Sequence, residues 1–189
     1  MRLLIACLLM LTLAACDKQK PAAPQGGGPA QAPTPTAEFT PTEGASRMPA
    51  ARFAGPDGKP VTLAAFRGQP LLVNLWATWC APCVAEMPAI DRLAAGEKGR
   101  LKVIAVSQDG NGLAAVAPFF AKAGITTLKP YLDPQNALMT ALRADTLPTT
   151  VLYDANGREL WRHVGKVDWD DEAARVALAD ALAGKPASS

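Results

Sequence analysis

The chain has 189 residues, of which 49% are hydrophobic and 19% are charged, and its formal net charge is +2. This composition excludes a disordered acidic chain and a strongly basic nucleic-acid-coating protein, and it predicts one ordinary globular domain with no nucleic-acid partner. The 4 cysteines would suggest two structural disulfides in a secreted protein, so their positions decide between structural and reactive roles.

The first 15 residues have the layout of a secretory signal peptide. A positive charge at Arg2 precedes an apolar stretch from Leu3 to Ala15, which covers ~20 Å as a helix and is too short for the ~30 Å core of a bilayer. The end of this region, Leu13 to Cys16, resembles a bacterial lipobox. The resemblance implies a lipid on Cys16 that anchors the protein to the periplasmic face of the inner membrane, with Asp17 as a retention signal. The alternative is a soluble periplasmic protein.

Residues 16–49 are predicted to form the lipidated N-terminus and a flexible tether. They are rich in Pro, Gly, Ala and Thr, with few large apolar residues apart from Phe39 and Met48. Such a composition buries too little apolar surface to offset the entropy lost on ordering, and ~30 residues give a root-mean-square reach of ~30 Å. Residues 50–185 then form the folded domain, and residues 186–189 a disordered tail.

The predicted elements of the domain alternate between strands and helices. Asp57-Gly58 marks the turn of an N-terminal β-hairpin, the apolar run 71–76 is typical of a strand buried on both faces, and the spacing of apolar residues predicts a helix over 81–95. Further strands are predicted at 101–106, 149–153 and 159–164, and further helices at 111–123, at 134–142 and from a cap at Asp168 to Gly184. This order predicts an α/β sandwich with a central mixed sheet flanked by helices and a central βα-type insertion.

The segment from Trp79 to Cys83 carries the chemistry, because it places two thiols three residues apart at the start of a helix. At a helix N-terminus, unpaired backbone N–H groups and the helix dipole favour the thiolate of Cys80 over its thiol. Cys83 follows near the same face one turn deeper, where it can resolve a mixed disulfide formed by Cys80. Pro82 suits the first turn, because it has no N–H and a fixed φ, and Pro88 is expected to kink the helix.

Three segments, in this order, resemble the TlpA/ResA-like membrane-anchored thiol-disulfide oxidoreductases of the thioredoxin superfamily. They are Leu72–Cys83, Glu86-Met87-Pro88 and Leu147-Pro148-Thr149-Thr150. The resemblance covers about Phe53 to Leu182 and implies a thioredoxin-like fold in which Cys80 and Cys83 form a redox couple that needs no other cofactor.

The resemblance also implies how a substrate docks. Pro148 is expected to have a cis peptide bond and to face the cysteine pair, since proline is the residue for which the cis form costs little. The backbone of Leu147 would pair with the substrate segment around its cysteine, in the manner of an added strand. The side chains expected to border the substrate beside the pair are Trp79, Ala81 and Pro82.

The proton acceptor of the predicted site is Glu86. Thioredoxins themselves have a buried acid six residues before the first active-site cysteine, and this sequence has Asn74 there, as is usual in TlpA/ResA-like members. Glu86 follows Cys83 by three residues on the same side of the helix, and the resemblance offers it as a proton acceptor or as a group that tunes the thiol pKa. The alternative is a solvated glutamate in the first turns of the helix.

A metal site is the main competing interpretation of the two cysteines. A zinc site needs two ligands besides the two cysteines, and the chain contains a single histidine, His163. A copper chaperone that resembles the Sco family would use Cys80, Cys83 and His163, although that family has three residues between its cysteines where this chain has two. We therefore predict no metal and keep the copper chaperone as the alternative function.

The expected source of electrons is another protein. The sequence shows no Gly-rich phosphate loop for NADPH or a flavin, so electrons are expected from another protein's dithiol. Ala81 and Pro82 bring no cation to stabilise a thiolate, which predicts a reductant. In the resembling family the donor is a transmembrane thiol-disulfide transporter of the DsbD/CcdA type. The acceptors there are oxidised cysteine pairs of apocytochrome c, in cytochrome c maturation, or of copper-assembly proteins of haem-copper oxidase.

Overall fold

A computed structural model describes residues 39–42 and 46–185 of the chain. The predicted signal peptide, the predicted lipidation site at Cys16, most of the predicted tether and the predicted tail 186–189 lie outside these residues. Within the described ranges, no helix is long and apolar enough to cross a membrane.

The strands of the described residues are β1 (Thr40–Pro41), β2 (Phe53–Ala54), β3 (Pro60–Val61), β4 (Leu71–Trp76), β5 (Lys102–Ser107), β6 (Tyr131–Leu132), β7 (Thr149–Tyr153) and β8 (Glu159–Val164). These eight strands of the described ranges form one mixed sheet in the order β1-β8-β7-β4-β5-β6-β2-β3. The helices are α1 (Ala81–Gly96), α2 (Leu113–Ala123), α3 (Ala137–Ala141) and α4 (Glu172–Leu182), and a 3₁₀ turn spans Leu63–Phe66.

Strand β4 lies in the middle of the sheet, and every one of its residues is buried. It pairs in parallel with β5 and antiparallel with β7. Leu72 and Trp76 point into one core cluster and Val73 into the other, because successive side chains of a strand face opposite sides of the sheet. Residues of α1, α2 and α4 complete the first cluster, whereas α3 and the 3₁₀ turn complete the second. The predicted sandwich with helices on both faces is confirmed.

The longer predicted strands and the hairpin are also confirmed. Strands β4, β7 and β8 have the predicted bounds, and β2 pairs antiparallel with β3 around the turn at Asp57-Gly58. Strand β6 and helix α3 lie between α2 and β7, where the βα-type insertion is expected. Helix α1 runs without interruption through Pro88.

The sheet starts ahead of residue 50, inside the range assigned to the tether. Strand β1 pairs antiparallel with β8, and the N–H of Thr42 donates to the carbonyl of Leu160 at 3.2 Å. Met48 is buried in the second core cluster. These contacts were not predicted, because two-residue strands have too few residues to show an alternating pattern.

Helix α3 is shorter than the predicted 134–142. Asn136 has a left-handed φ of 55°, so the helix cannot extend back through it. The Asp133 carboxylate instead accepts the backbone N–H groups of Ala137 and Leu138, each at 2.9 Å, and this acceptor sets the start at Ala137.

Helix α4 begins later than predicted. Its N-cap position is Asp171, which makes no side-chain capping bond. The carboxylate of Asp168 accepts the N–H of Asp170 at 3.1 Å and so stabilises the turn before the helix. The prediction of a helix cap at Asp168 is therefore wrong, because this carboxylate is used within the preceding turn.

Candidate active site

The two cysteines lie at the point where the central strand β4 leads into α1. Cys80 is the N-cap residue of α1, and its Sγ accepts the N–H of Cys83 at 3.3 Å. The two Sγ atoms are bonded at 2.08 Å, with the Cα atoms 5.2 Å apart. Cys80 is 7% exposed and Cys83 is 1% exposed. Cys80 is thus the sulfur nearer the solvent, and a helix N–H is aimed at it, as a thiolate there requires.

The residues predicted to border the substrate lie at the surface beside the pair. The indole of Trp79 is 70% exposed, which is the largest value among the large apolar side chains that the structure describes. Ala81 and Pro82 are exposed on the first turn of α1. A partner protein can therefore reach the disulfide across an apolar border.

A buried carboxylate holds the loop that precedes the cysteines. Asp109 follows β5 and is 4% exposed. One of its oxygens accepts the backbone N–H of Thr78 at 2.9 Å, and the other accepts the Thr78 hydroxyl at 2.5 Å. The hydroxyl of Ser107 donates to the same carboxylate at 2.7 Å. Thr78, two residues before Cys80, is thus bonded to the segment that follows β5. No sequence pattern indicated this contact.

The peptide bond between Leu147 and Pro148 is cis, as predicted. Pro148 is buried and directly precedes β7, whose first residue, Thr149, lies opposite Leu75 of β4. Pro148 therefore lies beside the end of β4 that leads to the cysteines. Leu147 is half-buried and packs against both core clusters.

Glu86 is buried, and only 1% of it is exposed. The indole N–H of Trp169 donates to its Oε1 at 2.6 Å. Burial raises the pKa of Glu86 from 4.5 to about 7, against the opposing effects of the Trp169 N–H, the backbone of Val167 and the positive charge of Lys166. The alternative of a solvated glutamate is therefore wrong. The helix turns this side chain inward, where the segment between β8 and α4 contacts it through Trp169.

Asn74 occupies the place of the buried acid of thioredoxins, and it has a structural contact there. Its side-chain amide donates to the hydroxyl of Thr150 at 3.0 Å, which links β4 to β7 within the sheet. An amide does not take up a proton at neutral pH. Glu86 is thus the buried carboxyl group that can titrate next to the cysteine pair on α1.

Trp169 belongs to a group of four rings, which we call the aromatic cluster: Phe39, Trp161, His163 and Trp169. The Phe39 ring lies 4.6 Å from Trp161, 5.5 Å from His163 and 6.2 Å from Trp169, between ring centroids. Trp161 and Trp169 stack at 6.5 Å. Neither Phe39 nor Trp169 was predicted to belong to the site. Their separation from Glu86 along the chain leaves no local pattern that would find them.

The copper site of the alternative function is not assembled by the described residues. His163 packs against Phe39 within the aromatic cluster. Across residues 39–42 and 46–185, no group of three or more His, Cys, Asp or Glu side chains is arranged to hold a metal ion.

Comparisons with known proteins agree with this geometry. Residues 43–179 match the Redoxin family. The chain is 33% identical over 103 residues to the thiol-disulfide oxidoreductase ResA of Geobacillus thermodenitrificans, covering 54% of this chain and 58% of that protein. It is 34% identical over 120 residues to the thiol:disulfide interchange protein DsbE of Vibrio cholerae, covering 62% and 63%. The matched region thus spans less than two thirds of either relative.

The fold is shared with proteins of known structure. A crystal structure of a protein assigned as a thiol:disulfide interchange protein DsbE, from Chlorobium tepidum, superposes with a TM-score of 0.64 at 28% identity. The superposition covers 73% of this chain and 96% of that chain. The thioredoxin-like fold predicted from the three sequence segments is therefore confirmed.

Proposed function

The chain belongs to the Redoxin family, and we propose that it is a thiol-disulfide oxidoreductase that reduces disulfides in partner proteins. The observation that carries this proposal is the Cys80–Cys83 disulfide at the start of α1, with a backbone N–H aimed at the sulfur of Cys80. The names of the two relatives, a thiol-disulfide oxidoreductase and a thiol:disulfide interchange protein, support the same chemistry.

The reaction starts from the reduced pair. The Cys80 thiolate attacks one sulfur of a partner disulfide, forming a mixed disulfide and releasing the partner's other sulfur as a thiolate, which takes up a proton. Cys83 then loses its proton and attacks the Cys80 sulfur of the mixed disulfide. The partner leaves as a dithiol, and the Cys80–Cys83 disulfide forms, so two electrons have passed to the partner.

Glu86 is the proposed acceptor of the Cys83 proton. The two side chains are neighbours on α1, because residues three apart lie side by side on a helix. Since burial raises the pKa of Glu86 to about 7, the carboxyl group can both accept and release a proton near neutral pH. Its Oε1 atom accepts the indole N–H of Trp169, and the backbone of Val167 also favours the ionised carboxylate, so both interactions would support the group when it releases its proton.

The docking of the partner is proposed to use the surface around Cys80. The exposed Trp79, with Ala81 and Pro82, provides apolar contacts on one side of the disulfide. On the other side, the chain at Leu147 and the cis-bonded Pro148 lies beside the end of β4. A partner segment in an extended conformation would pair with the backbone of Leu147, as an added strand does.

The setting that we propose follows the sequence resemblance. The protein would be held by a lipid on Cys16 at the periplasmic face of the inner membrane, or act as a soluble periplasmic protein. It would receive electrons from a transmembrane thiol-disulfide transporter of the DsbD/CcdA type. Its substrates would be apocytochrome c, in cytochrome c maturation, or copper-assembly proteins of haem-copper oxidase.

Trapping of mixed disulfides tests this function. The Cys83→Ser variant keeps the attacking sulfur and lacks the resolving one, so we expect covalent adducts between Cys80 and its substrates in cells, visible on non-reducing gels and identified by mass spectrometry. The control is the double variant Cys80→Ser/Cys83→Ser, which should give none of them. Absence of adducts from the single variant, or equal adducts from both, would contradict the proposal. A reduction potential near the ~−120 mV of strong periplasmic oxidants would contradict the direction.

A further inference from the structure

The aromatic cluster connects the N-terminal strand to the carboxyl group of the active site. Strand β1 sets this connection by its register, because Pro41 lies opposite Trp161 and Thr40 opposite Arg162. Continuing this antiparallel register by one residue places Phe39 beside His163. Trp161 and His163 are buried and alternate along β8 with less buried residues, so both side chains lie on the same face of the strand. The Phe39 ring therefore covers the same face of β8 against which Trp169 stacks.

Trp169 is held by packing and not by regular secondary structure. It lies between the end of β8 and the start of α4, and it is 2% exposed. Its ring contacts are Trp161 and Phe39, at centroid distances of 6.5 Å and 6.2 Å. Its indole N–H reaches Glu86 of α1 at 2.6 Å. The direction of this donor thus depends on the rings that confine the indole.

We propose that Phe39 and Trp169 are positioning residues of the active site, with the Phe39 ring confining the Trp169 indole so that its N–H stays bonded to the Glu86 carboxylate. The proposal rests on the proposed function, because it concerns the proton acceptor of that reaction. It makes the segment around Phe39, which composition predicts to be tether, a part of the site.

The groups that favour the ionised form of Glu86 come from the segment after β8. They are the indole N–H of Trp169, the backbone of Val167 and the positive charge of Lys166. On α1, Cys83 lies three residues before Glu86 and is bonded to Cys80; on β8, His163 contacts Phe39. A hydrogen bond to the ionised form of an acid lowers its pKa. Loss of the Trp169 N–H is therefore expected to raise the pKa of Glu86 while the carboxyl group stays buried.

The test uses the full chain and the pH dependence of its reaction with a small disulfide, which needs no docked partner. Trp169→Phe keeps a ring and removes the donor of the hydrogen bond to Glu86. We expect the inflection in the plot of rate against pH to move to a higher pH by about one unit. Phe39→Ala should move the inflection in the same direction by about half a pH unit, because a Trp169 indole that is no longer confined forms its hydrogen bond to Glu86 for a smaller fraction of the time. The matched control is Phe66→Ala, because Phe66 is a partly buried ring that packs on Tyr131 in the other core cluster.

Double variants decide whether the effect passes through Trp169 and Glu86. Phe39→Ala should add no shift to Trp169→Phe, and neither change should move the profile of Glu86→Gln. The proposal is overturned if Phe39→Ala leaves the inflection in place or moves it downward. It is also overturned if the shift caused by Phe39→Ala persists with Glu86→Gln, because a group other than Glu86 would then carry the titration.

Two further measurements separate a failure of the Phe39 role from misfolding and from a failure of the proposed function. Phe39→Leu retains apolar volume, so it should fold even where Phe39→Ala does not, and we expect it to give a shift between those of the wild type and Phe39→Ala. If Cys80→Ser reacts as fast as the wild type, the proposed function itself fails. If Cys80→Ser is inactive and Trp169→Phe shifts the profile while both Phe39 variants match the wild type, only the positioning role of Phe39 fails.

Discussion

The active site has an exposed side and a buried side, and the two are built differently. The exposed side consists of Trp79, Ala81 and Pro82, which are nearly consecutive in the chain and contact little of the domain. The buried side joins Glu86 of α1 to Trp169, 83 residues further along the chain. If the proposed function holds, we expect substitutions on the exposed side to change partner recognition with little effect on the core. We expect changes on the buried side to alter proton transfer and stability together.

The buried side has an energetic cost that the exposed side does not have. A carboxyl group that is 1% exposed is harder to ionise than one in water, which is why burial raises the pKa of Glu86 to about 7. The folded protein thus loses stability when this group has to ionise. Buried functional groups of this kind commonly reduce the stability of a fold in exchange for activity.

The largest expected effect is the pH-dependent stability of Glu86→Gln in the oxidised protein. In the wild type, the folded state holds this proton up to about pH 7, while the unfolded state releases it near pH 4.5. The raised pKa therefore stabilises the folded state below pH 4.5. This contribution, about 3 kcal/mol in the free energy of unfolding, is lost as the pH rises to about 7. Glutamine cannot ionise and keeps an acceptor for the Trp169 N–H.

Urea unfolding of both proteins at pH 4 and pH 8 measures this difference, because the other titrating groups are common to the two proteins. Relative to the wild type, the free energy of unfolding of Glu86→Gln should rise by about 3 kcal/mol between the two pH values. An equal pH dependence in both proteins would show that the folded state leaves the Glu86 pKa near its ordinary value, and the contrast between the two sides would then be lost.

A smaller effect is expected from Thr78→Val, which changes the support of the loop between the two sides. The variant loses the hydroxyl that donates to Asp109 at 2.5 Å and keeps the backbone N–H bond to the same carboxylate. The free energy of unfolding should fall by about 2 kcal/mol, the usual contribution of a hydrogen bond to a charged group. Thr78→Ser retains the hydroxyl and should stay close to the wild type. If Thr78→Ser and Thr78→Val have the same free energy of unfolding, the hydroxyl does not stabilise the loop.

The smallest change in stability is expected from Trp79→Ala. Because the indole is 70% exposed, its removal should alter the free energy of unfolding by no more than about 0.5 kcal/mol. The KM for a protein disulfide should nevertheless rise about tenfold if the ring is a docking contact, while the rate with a small disulfide stays unchanged. Val176→Ala, an exposed apolar residue of α4, is the matched control. Equal KM values for Trp79→Ala and the wild type would remove Trp79 from the docking surface.

Features that depend on neighbouring residues were predictable. The apolar run of β4, the cysteine pair at the start of α1 and the Asp57-Gly58 turn between β2 and β3 each have a local pattern, and each has the predicted place in the structure. The bounds of α3 were less predictable. Its start depends on the Asp133 carboxylate and on the left-handed backbone of Asn136, and both compete with the helical preference of the residues around them.

Within the candidate site, local sequence patterns were enough to predict the reactive pair, the helix N-terminus that supports it and the proline that precedes β7. Each of these is encoded by residues within a few positions of one another, and backbone geometry then fixes their relation. The burial of Glu86, the hydrogen bond from Trp169 and the ring contact between Phe39 and Trp169 depend instead on tertiary packing. Those contacts join α1, the loop before α4 and the N-terminal strand, and the environment that shifts the pKa of Glu86 exists only when the packed core excludes water from all three.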